Sequence, residues 1–253
     1  MLLGAVTYNV LKDWDVETII RNLQAAGFEA VELRTGHKHL VEPSIGAAER
    51  ERVKNLFERS KVRLLSFGST CEFQSPDAAE RKRQIQIART FIDLAHDTGA
   101  WAVKVRPNGL PKTAEPIDTV VGRIADGLRE LGDAGAGKGV EIWMEVHGNV
   151  TQNPPVAAAI MRATRHEMVG LCWNSNPTDV VNGSVRKSWE LLRPWVKNAH
   201  INELSNDYPW RELFTLMTKS GYDRYTLCEA AESKEPERFL GYYKALWTEL
   251  TRA

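Results

Sequence analysis

Eight times along this chain a short apolar run of strand character gives way to a longer stretch of helical periodicity, and this alternation constrains the fold most. The runs cover residues 2–6, 29–34, 62–67, 101–106, 140–149, 168–173, 196–202 and 224–229. The helical stretches fall near 15–26, 47–60, 77–98, 117–134, from 154 onward, 185–192, from 209 onward and 236–250. Gly27 and Gly99 follow two of these stretches as stop signals, and Pro154 and Pro155 open another, where a missing N–H costs nothing. Connections of this length exclude hairpins and point to parallel strands. Eight such units in 253 residues predict an α/β fold, a (β/α)8 TIM barrel forming a single domain over residues 1–253. An open doubly wound sheet would expose a glycine-rich phosphate loop between strand and helix. Gly135, Gly137 and Gly139 follow a helix instead and lack that spacing.

Side chains of an extended segment alternate between two faces, so each run can be read for what it carries. In the fifth, VEIWMEVHGN, Val140, Ile142, Met144 and Val146 make one apolar face, while Trp143, Glu145 and His147 share the other. A buried Glu must be paired, hydrogen-bonded or bound to a metal, which makes Glu145 the first functional candidate, with a salt bridge as the alternative. The second run places Glu32 and Arg34 on one face, and the loop after it carries His37 and His39. That HxH spacing fits a substrate contact, metal ligation or plain solvation. The fourth run sends Lys104 and Arg106 to one side, either to neutralise neighbouring carboxylates such as Glu32 or to meet an anion or hydroxyl. In the seventh and eighth runs His200 and Glu229 sit at the strand ends, and the sixth ends in Asn174 followed by SNPTD, with Asn176 in that loop.

Barrels of this class work at the C-terminal ends of their strands. Glu145, Asn174, His200 and Glu229 come from four consecutive strand ends. Two carboxylates, an imidazole and an amide oxygen form a mixed shell suited to a divalent metal cation, Mn, Mg, Co or Zn. Such a site can polarise a carbonyl and hold a Glu close enough to remove the proton beside it. Glu32, Arg34, His37, His39, Lys104, Arg106, His147 and Asn176 are the expected substrate contacts around it.

Composition removes several alternatives. Lys plus Arg and Asp plus Glu both number 33, so no net positive field exists to hold a polyanion, and nucleic acid is not the expected partner. The first apolar run is too short for a membrane span or a signal core. Cys71, Cys172 and Cys228 are odd in number and widely spaced, which argues against a disulfide framework and for a reducing cytoplasm.

Several stretches carry a resemblance that runs end to end: VELRTGHKH from 31, VKVRPN from 103, MEVHGN from 144, GLCWNSNPTD from 170, AHINEL from 199, YPWRELF from 208 and CEAAES from 228. On these the chain resembles the xylose isomerase-like superfamily of TIM barrels, in particular bacterial sugar phosphate isomerase/epimerase proteins. The resemblance implies a divalent metal held by Glu, Asp, His and Glu from the fifth to eighth strands, with the two Glu residues as the acid/base pair. Glu145, His200 and Glu229 match that pattern, and Asn174 stands where the family has Asp, one negative charge fewer. The implied activity is metal-dependent sugar isomerisation or epimerisation through proton abstraction alpha to a carbonyl. Two other readings fit the same barrel: a lyase or dehydratase eliminating a group from a 3-keto sugar or glycoside, and a non-catalytic sugar-binding barrel. The expected partner is a small sugar or sugar derivative, and a homo-oligomer is compatible with all three.

Overall fold

The computed structural model describes residues 1–112 and 114–252. Eight parallel strands close into a barrel in chain order, with β8 pairing back to β1 in the register that sets Leu2 beside Tyr225. The first half runs β1 (Leu2–Val6), α1 (Val16–Ala26), β2 (Ala30–Arg34), α2 (Ala47–Glu58), β3 (Arg63–Gly68), α3 (Ala78–Thr98), β4 (Ala102–Val105) and α4 (Ile117–Ala136). The second half runs β5 (Glu141–Glu145), α5 (Pro154–Thr164), β6 (Val169–Asn174), a 3-10 turn (Pro177–Asp179), α6 (Arg186–Leu192), β7 (Val196–Ile201), α7 (Trp210–Lys219), β8 (Tyr225–Cys228) and α8 (Pro236–Thr251). The expected TIM barrel is therefore the observed fold. Among the described residues, no helix is long and apolar enough to cross a membrane.

Local chemistry sets the element ends. Asp15 and Asp77 accept hydrogen bonds from Thr18 N and Ala79 N, capping α1 and α3 where first-turn amides lack helical partners. Gly27 and Gly99 close the same two helices in the left-handed conformation, with φ of 75° and 78°. The fifth strand is shorter than its apolar run: β5 ends at Glu145, and the chain swings away through His147 and Gly148.

The strand alternation sorts side chains into two cores. Outward residues such as Val31, Leu33, Val103, Ile142, Met144, Leu171 and Trp173 pack under the helices in the larger core. Inward residues fill the barrel itself: Val6, Ala30, Leu65, Ala102, Trp143, Cys172, Tyr225 and Leu227. Trp143 is wholly buried and stops the barrel being a pore. Below it, at the N-terminal mouth, Glu141 binds Trp143 Nε1 at 2.7 Å, Lys197 Nζ at 3.0 Å and Arg224 Nη2 at 2.6 Å. Charge at that end is thus consumed in closing the barrel. The ionisable groups at the other end stand on a packed floor.

Candidate metal centre and substrate cleft

Above the Trp143 floor the inward positions change from apolar to ionisable, because each strand presents its last inward residue where the barrel opens. Glu145, His200 and Glu229 converge there, with one potential ligand atom from each within 4.8 Å of the others. His200 Nδ1 lies 3.3 Å from Glu229 Oε2 and 3.7 Å from Glu145 Oε1. Its other nitrogen, Nε2, faces Glu32 Oε1 at 3.4 Å. Both ring nitrogens are buried without a hydrogen-bond partner of acceptable geometry, as is Glu32 Oε1. A buried imidazole whose Nδ1 points between two carboxylates has the donor set and the unmet polar atom that a divalent cation would satisfy. The three residues fit a metal.

Lys104 is the second organising charge. Its Nζ donates to Glu145 Oε2 at 2.7 Å, and both side chains are about 4% exposed. Burial pushes the lysine towards neutrality, but Glu145, Glu32 and Glu229 outweigh it and hold the ammonium above its ordinary range. Burial likewise pushes Glu145 up, and Lys104 and His200 overcome it, leaving the carboxyl well below its ordinary range. For Glu32 burial is again the largest influence and is again overcome, by His200, Lys104 and the Ser66 hydroxyl, which donates at 2.8 Å. Burial opposes charge on His200, while Cys172, Glu229 and Glu32 raise it well above the imidazole range. The Cys172 thiol is itself raised by burial, so at neutral pH the carboxylates are the charges that hold the proton on His200. Metal ligation needs the neutral ring, so binding there releases a proton.

The Glu32 carboxylate reaches His200 because β3 leaves room. Gly68 pairs with Arg34 across the β2–β3 ladder, and a Cβ on Gly68 would stand 2.6 Å from Glu32 Oε1. Any larger residue would displace the carboxylate from the imidazole.

A cleft of about 240 Å³ opens over this cluster. Of the residues expected from sequence, Glu145, Glu229, Asn174, Lys104, Arg106, Arg34 and His147 all line it. Asn174 Nδ2 points towards Glu145 Oε1 at 3.5 Å, and a half-turn of the amide would present its oxygen instead. Four expected substrate contacts lie elsewhere. Glu32 is fully buried beneath the cleft and bears on His200, not on the opening. His39 spends both ring nitrogens on the backbone, at Arg34 O (2.9 Å) and Val41 N (3.0 Å), and so braces the β2 loop. Asn176 donates to Val146 O at 2.7 Å and to Asn174 O at 3.1 Å, tying the β6 loop to β5. His37 stands behind the cleft wall, hydrogen-bonded to Thr7 Oγ1 at 2.8 Å and stacked on Tyr8 with ring centroids 6.2 Å apart. Burial, helped by Arg34 and His39, lowers its pKa to about 4, so it is neutral at pH 7.

Sequence reading passed over Tyr8 and Asn9, which also line the cleft. They sit in an irregular segment between β1 and α1. The only signal was an exposed-type aromatic directly after a strand end.

The fold and the cluster define an α/β barrel with a carboxylate–imidazole site at its C-terminal mouth. The chain belongs to the xylose isomerase-like TIM barrel family, which it matches over residues 20–244. No curated protein matches the sequence significantly. Among solved structures, D-psicose 3-epimerase with D-tagatose from Clostridium cellulolyticum H10 superposes with a TM-score of 0.85 at 12% identity, all of both chains being covered. The 3-keto-D-glucoside 4-epimerase of E. coli gives 0.79 at 13% identity, covering 99% of this chain and 98% of the other. The IOLI protein with a bound zinc atom gives 0.81 at 14% identity, covering 99% and 96%. At such identities the likeness is one of fold, so the activity of this chain has to be argued from its own residues.

Proposed function

We propose that this protein is a divalent-metal-dependent sugar isomerase or epimerase that removes a proton from the carbon beside a substrate carbonyl. The observation that carries the reading is the triad Glu145, His200 and Glu229, in which the buried His200 Nδ1 faces both carboxylates without a hydrogen-bond partner, at the floor of a cleft of sugar size. The solved epimerases of the same fold support it. A divalent cation held by the triad would supply Lewis acidity towards the carbonyl, raising the acidity of the adjacent C–H.

The protein's own groups divide the remaining work. Glu145 is fixed on both sides, by Lys104 at Oε2 and by Asn174 towards Oε1. Among the described residues Glu229 has an ion-pair contact with His200 alone and is about 20% exposed, so it is the carboxylate with freedom to approach a substrate carbon and carry a proton away. Glu145 faces the same cleft and is kept anionic by Lys104, which suits it to hold the cation and to accept a proton, not to donate one, so the proton returned to the substrate is the one carried by Glu229. The Lys104 ammonium, a cation within the cleft wall, favours the negative charge that develops on the substrate oxygen. Tyr8 and His147 then bound the space in which the sugar is oriented.

The test is incubation in D₂O with added Mn²⁺ and a panel of ketoses, ketose phosphates and 3-keto-glycosides, followed by NMR. Deuterium incorporated at the alpha carbon of an isomerised product supports the reading, and aglycone release with a new alkene signal replaces it with the eliminating one. No exchange with any member of the panel, or exchange undiminished in a Glu145→Gln, Glu229→Gln double variant, overturns it.

A further inference from the structure

The cleft contains more positive charge than its acidic cluster requires. Arg34, Lys104 and Arg106 line it together with Glu145 and Glu229. Lys104 is committed to Glu145 at 2.7 Å. The two arginines are not committed in this way. Arg34 has no carboxylate within ion-pair distance among the described residues, and its hydrogen bond is from Nη1 to the neighbouring Thr35 carbonyl at 3.2 Å. Its guanidinium lies over the Tyr8 ring, 4.9 Å from the centroid, which fixes the plane without neutralising the charge. Among the described residues Arg106 has one carboxylate within ion-pair distance, Glu72, at 3.7 Å from Nε, too long for a hydrogen bond. That Nε is shielded from water and has no hydrogen-bond partner.

Their placement in the barrel sets them on one side of the cleft. Arg34 ends β2, and Arg106 follows β4 by one residue. Between them stands β3, whose exit provides Gly68, with no side chain, and Ser69, whose hydroxyl is turned onto the Lys104 carbonyl at 2.7 Å. Strands two apart are separated by roughly 10 Å, a span that two arginine side chains bridge around one tetrahedral or planar oxyanion. On the opposite side, β5 to β8 supply the metal-binding cluster. The cleft is therefore polarised, with metal ligands on one wall and two forked cations with spare donors on the other.

We infer that the substrate carries a carboxylate or phosphate at the end remote from the metal cluster, and that Arg34 and Arg106 hold that group. The inference rests on the proposed reaction for what happens at the metal end, while the anion subsite stands on the arginines alone. A neutral sugar would leave both guanidinium groups facing uncharged hydroxyls, whereas an oxyanion accepts their forks in pairs of charge-assisted hydrogen bonds.

Calorimetric titrations with inorganic phosphate, D-gluconate and the neutral polyol sorbitol test it, on chelator-treated protein and again with Mn²⁺ restored. At least one anion is expected to bind tenfold or more tightly than sorbitol in both states. Arg34→Met and Arg106→Met should each weaken that binding at least tenfold, and Arg34→Lys, which keeps the charge but not the fork, should fall between. Affinity for Mn²⁺ should be unchanged in all three, which also shows that each variant is folded. Preference for phosphate identifies a phosphorylated substrate, and preference for gluconate a sugar acid. Equal binding of sorbitol and both anions overturns the subsite, as does anion binding that requires Mn²⁺ and ignores the arginines. Anion binding that depends on the arginines in a protein showing no deuterium exchange would leave the subsite standing and remove only the isomerase reading.

Discussion

His200 Nε2 lies 3.4 Å from Glu32 Oε1, on the opposite edge of the ring from the nitrogen that faces Glu145 and Glu229. Glu32 is therefore a positioning residue. Its negative charge beside Nε2 favours the neutral tautomer with the proton on that nitrogen and leaves the Nδ1 lone pair towards the cluster, as a metal ligand needs. Glu32→Gln keeps the volume and can keep the Ser66 contact, but loses the charge that selects this tautomer. Competition titrations with a metal-sensitive dye should show Mn²⁺ or Zn²⁺ affinity lowered by about 10–100-fold. Unchanged affinity would mean that the Glu32 contact does not orient His200.

Lys104 and Glu145 make a buried pair, and removing one member strands the other. Lys104→Met should cost the metal-free protein about 3–5 kcal/mol in urea unfolding, because Glu145 is left with a buried charge or must take up a proton. Added Mn²⁺ should restore part of that loss, since a cation on Glu145 takes over the compensation from the ammonium. A loss below about 1 kcal/mol, or one that Mn²⁺ does not reduce, would show that Lys104 does not balance Glu145.

Asn174 occupies the strand end where the family pattern has Asp, beside Glu145 and within the same cleft. Asn174→Asp adds a third carboxylate to the wall. Without metal that is repulsive and should destabilise the fold, and with metal it should raise affinity, since each added charge attracts the cation. Turnover should fall, because a more anionic ligand set makes the metal a weaker Lewis acid. Calorimetry with Mn²⁺ decides the matter: an Asp variant that binds no more tightly than the wild type removes Asn174 from the ligand set.

Much of this site was legible because inward and outward positions alternate along a strand. Glu145 and Lys104 could be assigned to the barrel interior from their spacing to Trp143 and Ala102, and the structure has both there. Alternation gives the face of a strand but not the height of a residue along the barrel axis. That height depends on the stagger between neighbouring strands, including irregular register between Val31 and Glu32 and between Leu171 and Cys172. Glu32 consequently lies under the cleft while Arg34, two residues on, lines it. Loop residues have no period at all. His39 and Asn176 carry the right chemistry for a substrate contact, yet their polar atoms are spent on backbone groups that those loops leave unpaired. Tyr8 reaches the cleft from an irregular segment, where an aromatic just past a strand end is the one signal and strand alternation says nothing of its direction.

The last prediction concerns a carboxyl outside the cluster. Asp179 closes the turn after β6, accepting through Oδ2 from Asn176 N at 2.9 Å and from the Tyr208 hydroxyl at 3.0 Å, while Oδ1 is buried without a partner. Among the described residues no cation offsets its burial, which therefore dominates and raises its pKa to about 7. A carboxyl raised in the folded state favours folding while it is protonated. Its contribution is full below the unfolded-state value near 3.8 and is lost as pH rises through about 7. Between pH 5 and pH 8 the wild type should therefore lose about 2–3 kcal/mol relative to an Asp179→Asn variant, whose amide oxygen can accept the same two hydrogen bonds without taking up a charge. Parallel urea unfolding curves at several pH values check this by difference, which cancels the opposite trend from carboxyls held low, such as Glu145 and Glu32. If the difference between the two proteins is flat across that range, Asp179 titrates at an ordinary carboxylate pH, and the turn between Asn174 and Tyr208 tolerates its charge.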